Sequence, residues 1–217
     1  MYPFVTHTWK PVKGLCPHGC AYCYMNKIYK RFGKTPAPLH LDERELSVNL
    51  GSGNTIFTGS SIDMFAGEMD MNNIHRVLKH IEKFPGNTYF FQTKCTKYMW
   101  LQIGSFLPNS ILCTTLESNR HYPDIYGNAP HIRERVNYFS AIHNTKMITI
   151  EPVLDFDLPY FLRLIKDCGP IQQVNIGADS GNNHLPEPPP EKLRGLIAEL
   201  EKFTKVYLKK NLGRLLK

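Results

Sequence analysis

Apolar positions along the chain follow two alternating rhythms. Thr55–Gly59, Thr88–Thr93, Ser110–Leu116, Lys146–Glu151, Gln172–Ile176 and Lys205–Lys209 are short runs rich in β-branched and aromatic residues. Each reads as a strand. Between them the apolar residues change to helical spacing: Ile74, Val77, Leu78 and Ile81; Ile132, Val136 and Phe139; and Phe161, Leu162, Leu164 and Ile165 within Pro159–Cys168. The clearest stripe is Leu193, Leu196, Ile197 and Leu200, extended by Phe203 and introduced by Pro188-Pro189-Pro190, since proline suits a first helical turn. Tyr98–Leu107 is also expected to be helical. Pro85-Gly86-Asn87, Pro108-Asn109 and Gly169-Pro170 punctuate the pattern. Nearer the N-terminus, Val5–Val12 is expected to form the first strand and Ala21–Phe32 the first helix, ended at Gly33. A proline-containing connector, 34–40, and a turn-rich stretch, 49–53, follow.

Strands alternating with helices imply parallel β/α units wound by right-handed crossovers. Six or seven such units predict an α/β fold, a partial (β/α)6-7 TIM-like barrel left open, with a doubly wound sheet as the rival. The barrel is preferred because polar residues recur just beyond the strands: Ser60, Ser61 and Asp63; Thr93 and Lys94; Thr115, Glu117 and Ser118; Glu151; Asp179 and Ser180; Lys209 and Asn211. In a barrel these would share one mouth, where chemistry belongs in that fold. With 217 residues and 42% hydrophobic content, one domain spanning 1–217 is expected.

Composition narrows the setting. No apolar run approaches the roughly 18 residues of a membrane span, and the segment MYPFVTHTWKPVKG lacks the apolar core of a signal peptide. A cytoplasmic protein without membrane contact is expected. Lys and Arg exceed Asp and Glu by 26 to 19, for a formal charge of +7. Lys10, Lys13, Lys27, Lys30, Arg31 and Lys34 cluster near the N-terminus, and Lys205, Lys209, Lys210, Arg214 and Lys217 near the C-terminus. Such a surface is either a simple solvated one or a face for nucleic acid or phosphate.

The candidate chemistry lies in Cys16-Pro17-His18-Gly19-Cys20-Ala21-Tyr22-Cys23, a C-x3-C-x2-C loop. Thiolates select zinc, copper(I) or iron–sulfur clusters. A structural zinc site is closed by four ligands, whereas a four-iron cluster held by three cysteines leaves one iron open. The local triad favours the cluster; zinc completed by His18 or His7 is the alternative. Cys95, Cys113 and Cys168 lack a framework spacing and suit a reducing compartment. Cys95 or Cys113 could serve as a hydrogen-atom donor, although such a residue is more often a small buried hydrophobe.

The triad, with Tyr22 before its last thiol, resembles the signature loop of the radical S-adenosylmethionine (SAM) superfamily. Further stretches extend the resemblance to an uncharacterised radical SAM family of phages and prokaryotes. These are Trp9-Lys10-Pro11, Phe57-Thr58-Gly59-Ser60 with Asp63-Met64-Phe65, Gln92-Thr93-Lys94, Thr115-Leu116-Glu117-Ser118, Ile150-Glu151-Pro152-Val153-Leu154, Ile176-Gly177-Ala178-Asp179-Ser180-Gly181 and Tyr207-Leu208-Lys209-Lys210. The resemblance implies a [4Fe-4S] cluster on Cys16, Cys20 and Cys23 that binds SAM, with reductive cleavage to a 5′-deoxyadenosyl radical. It further implies Tyr22 near adenine, Gly59, Ser60 and Ser61 near the SAM amino group, and Thr115, Glu117 and Ser118 facing the ribose or the methionyl carboxylate. Gly177 would admit adenine. The acidic residue usual after the glycine segment is absent, and Asp63 is expected to stand in for it. Glu151, Lys209 and Asp179 are the candidates for substrate chemistry, with Glu151 and Lys209 expected to pair; Lys94 is a further substrate contact. An external flavodoxin- or ferredoxin-like electron donor is implied. The substrate is expected to be a nucleotide or nucleic acid, the alternatives being a small metabolite or peptide, or a non-catalytic zinc-stabilised binding protein.

Overall fold

The structure, a computed structural model, describes residues 2–67 and 69–217. In chain order its elements are β1 (His7–Trp9), β2 (Val12–Lys13), α1 (Tyr24–Arg31), β3 (His40–Leu41), β4 (Thr55–Thr58), α2 (Met71–Ile81), β5 (Thr88–Thr93), α3 (Thr96–Leu101), β6 (Ile111–Thr115), α4 (Pro123–Tyr126), α5 (Ile132–Ser140), β7 (Thr145–Ile150), α6 (Leu158–Asp167), β8 (Gln173–Ile176), α7 (Pro190–Leu200) and β9 (Lys205–Leu208). Seven strands pair in the order β1, β4, β5, β6, β7, β8, β9, every neighbour parallel. A doubly wound sheet would reverse direction midway. Here the order is strictly sequential and β1 does not pair with β9, which makes the fold an open, partial TIM-like barrel. Among the described residues no helix is long and apolar enough to cross a membrane.

Period-two alternation explains two separate cores. In β5, Tyr89 and Phe91 face the helical layer and join the large cluster with Val77, Leu78, Phe139 and Leu196. Phe90, between them, points the other way and packs with Cys113, Met147, Tyr2 and Val5. The N-terminal segment thus fills the inside of the sheet: the Tyr2 ring meets Phe90 edge-on at 5.1 Å between centroids and stacks on Phe4 at 5.4 Å. Rings so arranged contribute beyond their buried area.

Several boundaries differ from the sequence expectation. Val5–Val12 is not one strand: β1 joins the main sheet, while β2 turns away to pair antiparallel with β3. The first helix starts only at Tyr24, because the cysteine loop occupies the residues before it. Tyr98–Leu107 is replaced by α3 and a 3-10 turn at Ile103–Ser105, where Gly104 weakens continuation. The short α4, absent from the sequence reading, turns out to hold the cysteine loop.

Candidate functional site

Every parallel strand brings residues at or just beyond its C-terminal end to one mouth, and a cavity of about 530 Å³ opens there. The cysteine loop forms one wall, with Cys16, Cys20, Tyr22 and Cys23 all lining it. Opposite stand Gly59, Ser60 and Ser61 after β4, Thr115 at the end of β6, Glu151 after β7, Asp179 after β8 and Lys209 after β9. With Asp63 and Lys94, which also line it, thirteen of the sixteen residues given a role from the sequence therefore converge. Glu117, Ser118 and Gly177 do not line it.

The loop is held from behind by the α4 region. The Ala21 amide donates to the Ile125 carbonyl (3.0 Å), the Asn128 amide to the His18 carbonyl (2.7 Å) and the Asn128 side chain to the Pro17 carbonyl (3.2 Å). The Cys20 thiol points at the Tyr126 carbonyl at 3.5 Å. From the front, His18 is fastened to Asp63, with Nε2 at 2.8 Å from Oδ2. Asp63 also accepts from the Thr93 hydroxyl (2.8 Å) and from the amides of Lys94 (2.9 Å) and Phe65 (3.0 Å). Burial alone would raise this carboxyl, but these donors hold it below the ordinary carboxylate range. Asp63 thus braces the cysteine loop as well as lining the cavity, a role the sequence did not reveal.

Glu117 departs from expectation. It is completely buried behind the cavity wall, where Arg135 of α5 donates to Oε2 at 2.8 Å and the Tyr22 hydroxyl donates to Oε1. Lys94 Nζ stands 4.0 Å away and lies 5.3 Å from the Tyr22 ring centroid. A sugar hydroxyl would find no open oxygen here. Ser118 accepts from the Arg120 amide and donates to the Asp155 carbonyl (2.6 Å), tying two loops together. Gly177 makes room for Glu151 instead of a ligand: a Cβ there would sit 2.7 Å from Glu151 Oε1.

On the cavity floor Glu151 and Lys209 form an ion pair, as the sequence led one to expect. The Lys209 ammonium also lies 4.4 Å from the Tyr2 ring centroid, a cation–π contact. Tyr2 donates to Gln92 Oε1 at 2.8 Å, and Gln92 in turn donates to Thr115 Oγ1 at 3.1 Å. Asp179 lines the rim but spends its oxygens on Gly181 and Asn183, shaping the loop after β8.

The donor chemistry admits a cluster. Three cysteines line one cavity, and among the described residues no group of three or more His, Cys, Asp or Glu is gathered about a single point. A structural zinc is closed by four donors, whereas a four-iron cluster held by three thiolates keeps one iron open. His18, the proposed fourth zinc ligand, is already bonded to Asp63, and His7 sits exposed beside Thr6. Burial pushes the Cys16 thiol up to about 11, with the Asp63 charge adding to it, and burial raises Cys20 as well. A bound cationic centre reverses that preference, because a coordinating thiol is deprotonated.

Sequence reasoning missed Tyr126, Gly127, Asn128 and Arg135. Only Arg135 left a trace, as a charge on the apolar face marked by Ile132, Val136 and Phe139.

Comparison with known proteins adds a family and a fold. A family profile described as "Protein of unknown function (DUF5131)" matches residues 2–196. No curated protein matches the chain. Among solved structures, a spore photoproduct lyase double mutant with bound AdoMet and dinucleoside spore photoproduct superposes with a TM-score of 0.69 at 9% identity, over 96% of this chain and 78% of that one. Spore photoproduct lyase complexed with dinucleoside spore photoproduct gives 0.68 at 9% identity over the same shares. At that identity the likeness is one of fold.

Proposed function

The chain belongs to the family described as Protein of unknown function (DUF5131), and from that footing we propose that it is a radical SAM enzyme acting on a nucleotide or nucleic acid. The observation that carries the reading is that all three signature cysteines line a cavity at the C-terminal ends of parallel strands. Resemblance of the ordered motifs to a radical SAM family of phages and prokaryotes supports it, as does the AdoMet-bound fold neighbour. Cys16, Cys20 and Cys23 would hold a [4Fe-4S] cluster, which with SAM supplies, when bound, reductive cleavage to a 5′-deoxyadenosyl radical.

The chain's own residues would do the rest. Gly59 (φ 74°) leaves the backbone beyond β4 bare of a side chain, and with Ser60 and Ser61 it offers polar groups to the amino-acid end of SAM. Thr115 and Gln92 present a hydrogen-bonding edge on the floor. The Glu151–Lys209 pair supplies one cationic and one anionic group to orient substrate. Held against Tyr2, it is more a fixed anchor than a proton carrier. Tyr22, with its hydroxyl fastened to Glu117, would offer a rigid ring face to adenine. The plug of Tyr2, Phe57 and Phe90 closes the interior below and keeps water from a reactive carbon. The dinucleoside held by the fold neighbours supports a nucleotide-containing substrate.

The test is anaerobic purification, iron and sulfide analysis, and incubation with SAM and dithionite. About four irons per chain and released 5′-deoxyadenosine are expected, with the chromophore lost in each of Cys16→Ala, Cys20→Ala and Cys23→Ala. Zinc in place of iron, with SAM left intact, would return the protein to the zinc-stabilised binding class.

A further inference from the structure

The positive charge of this protein is concentrated in one part of the chain. The first 41 residues hold six Lys and Arg and no Asp or Glu, leaving 20 cations against 19 carboxylates in the other 176. Nearly all of the formal +7 therefore belongs to the segment that forms the cysteine loop and α1. Among the described residues, none of Lys10, Lys30, Arg31 and Lys34 is paired with a carboxylate.

The same helix is apolar where it should not be. α1 has no buried residue, and Tyr24, Ile28 and Phe32, spaced four residues apart, are 53%, 39% and 62% exposed. The Arg31 guanidinium lies 5.7 Å from the Phe32 ring centroid. α1 also spans the mouth: Tyr24 donates to the Ser60 carbonyl after β4 (3.5 Å), and Lys27 donates to the Gly181 carbonyl after β8. Tyr24, at the cavity edge of this row, lines the cavity together with Met25, Asn26 and Tyr29, which leaves Ile28 and Phe32 facing outward.

We propose that the outward face of α1 is the docking surface for a single-stranded nucleic acid, with Lys30, Arg31 and Lys34 on the phosphates and the Phe32 ring stacked on a base, which delivers a neighbouring nucleotide into the cavity. This rests on the radical SAM reading for the purpose of the delivery, and on the surface alone for the binding. Cations interleaved with exposed rings are what a flexible strand requires, because every base has a π-face and every phosphate a charge. A duplex hides its bases, and a recessed cavity cannot reach them there. An acidic electron-transfer protein would also meet the charge, but lysine is depleted at the centre of protein interfaces, and here it surrounds the exposed rings.

The experiment is fluorescence anisotropy of a short labelled DNA single strand with the iron-loaded protein over a series of salt concentrations. The triple variant Lys30→Ala/Arg31→Ala/Lys34→Ala should lose about 2 from the slope of log affinity against log salt, since each single-strand phosphate contact contributes about 0.7. Phe32→Ala should bind about tenfold more weakly with its slope unchanged. Both should retain wild-type iron content and dithionite-driven SAM cleavage without oligonucleotide. An unchanged slope in the triple variant, an unaffected Phe32→Ala, or a duplex bound as tightly as the single strand overturns the proposal. So does loss of affinity confined to a reduced flavodoxin probe. Iron-free, SAM-inert wild-type protein would overturn the radical reading; the anisotropy titration measures the surface directly, so the two failures are told apart.

Discussion

Gly127 shows how much a single residue can matter to the site without touching it. Its φ of 58° lies in the region that favours glycine, and a methyl group there would collide with the His18 carbonyl oxygen and lie 2.9 Å from that of Gly19. Gly127→Ala is therefore expected to destabilise the protein by about 1–3 kcal/mol in urea denaturation and to lower the iron it retains. Wild-type stability with full iron would refute the cradle. Nothing near Gly127 in the sequence marks it as part of a cysteine site, because its contact lies more than a hundred residues upstream. Asp63 and Glu117 illustrate the converse. Both were legible as acidic residues near strand ends, yet they are engaged by His18, Thr93 and Lys94 in one case and, fully buried, by Arg135 and Tyr22 in the other.

Among the elements, α5 carries more than its apolar stripe. Arg135 sits on the face of Ile132, Val136 and Phe139 and reaches through the helical layer to the end of β6, donating to the Thr115 carbonyl (2.9 Å) and to Glu117. Its Nε donates to the Pro130 carbonyl at 2.7 Å. Removing one partner of a buried pair leaves an uncompensated charge, so Arg135→Met is expected to cost about 3–5 kcal/mol. The double variant Arg135→Met/Glu117→Gln should recover more than half of that. Losses in Arg135→Met and Glu117→Gln that simply add in the double variant, measured by urea denaturation, would mean that the pair is not coupled. The strands and long helices were readable because each repeats a local apolar period. The cysteine loop's start and α4 were not, since bonds between distant segments set them.

For the molecule as a whole, carboxylates locked into loops set its acid tolerance. Hydrogen bonds from Arg120 and Asn119 hold Asp157 at about 2. Burial would raise Asp155, but Lys192 and Arg120 hold it below its ordinary value; burial likewise opposes, and the Gly181 and Asn183 amides outweigh, in Asp179. Groups lowered on folding bind protons first in the unfolded chain, so their stabilisation is complete above about pH 4 and fades as pH falls through the folded values. The melting temperature should be level between about pH 7 and 5 and decline below about 4; a level profile down to about 2.5 would contradict this. Strand–helix alternation, the open parallel barrel, the thiol triad and the Glu151–Lys209 pairing were all present in the linear chain. Each depends on short-range periodicity or on the rule that strand ends share a mouth. The bracing by Asp63, the burial of Glu117, the role of Gly177 and the bridge made by α1 depend on partners remote in sequence. Each hydrogen bond consumes a lone pair, and which pairs remain for a ligand is a property of the folded arrangement alone.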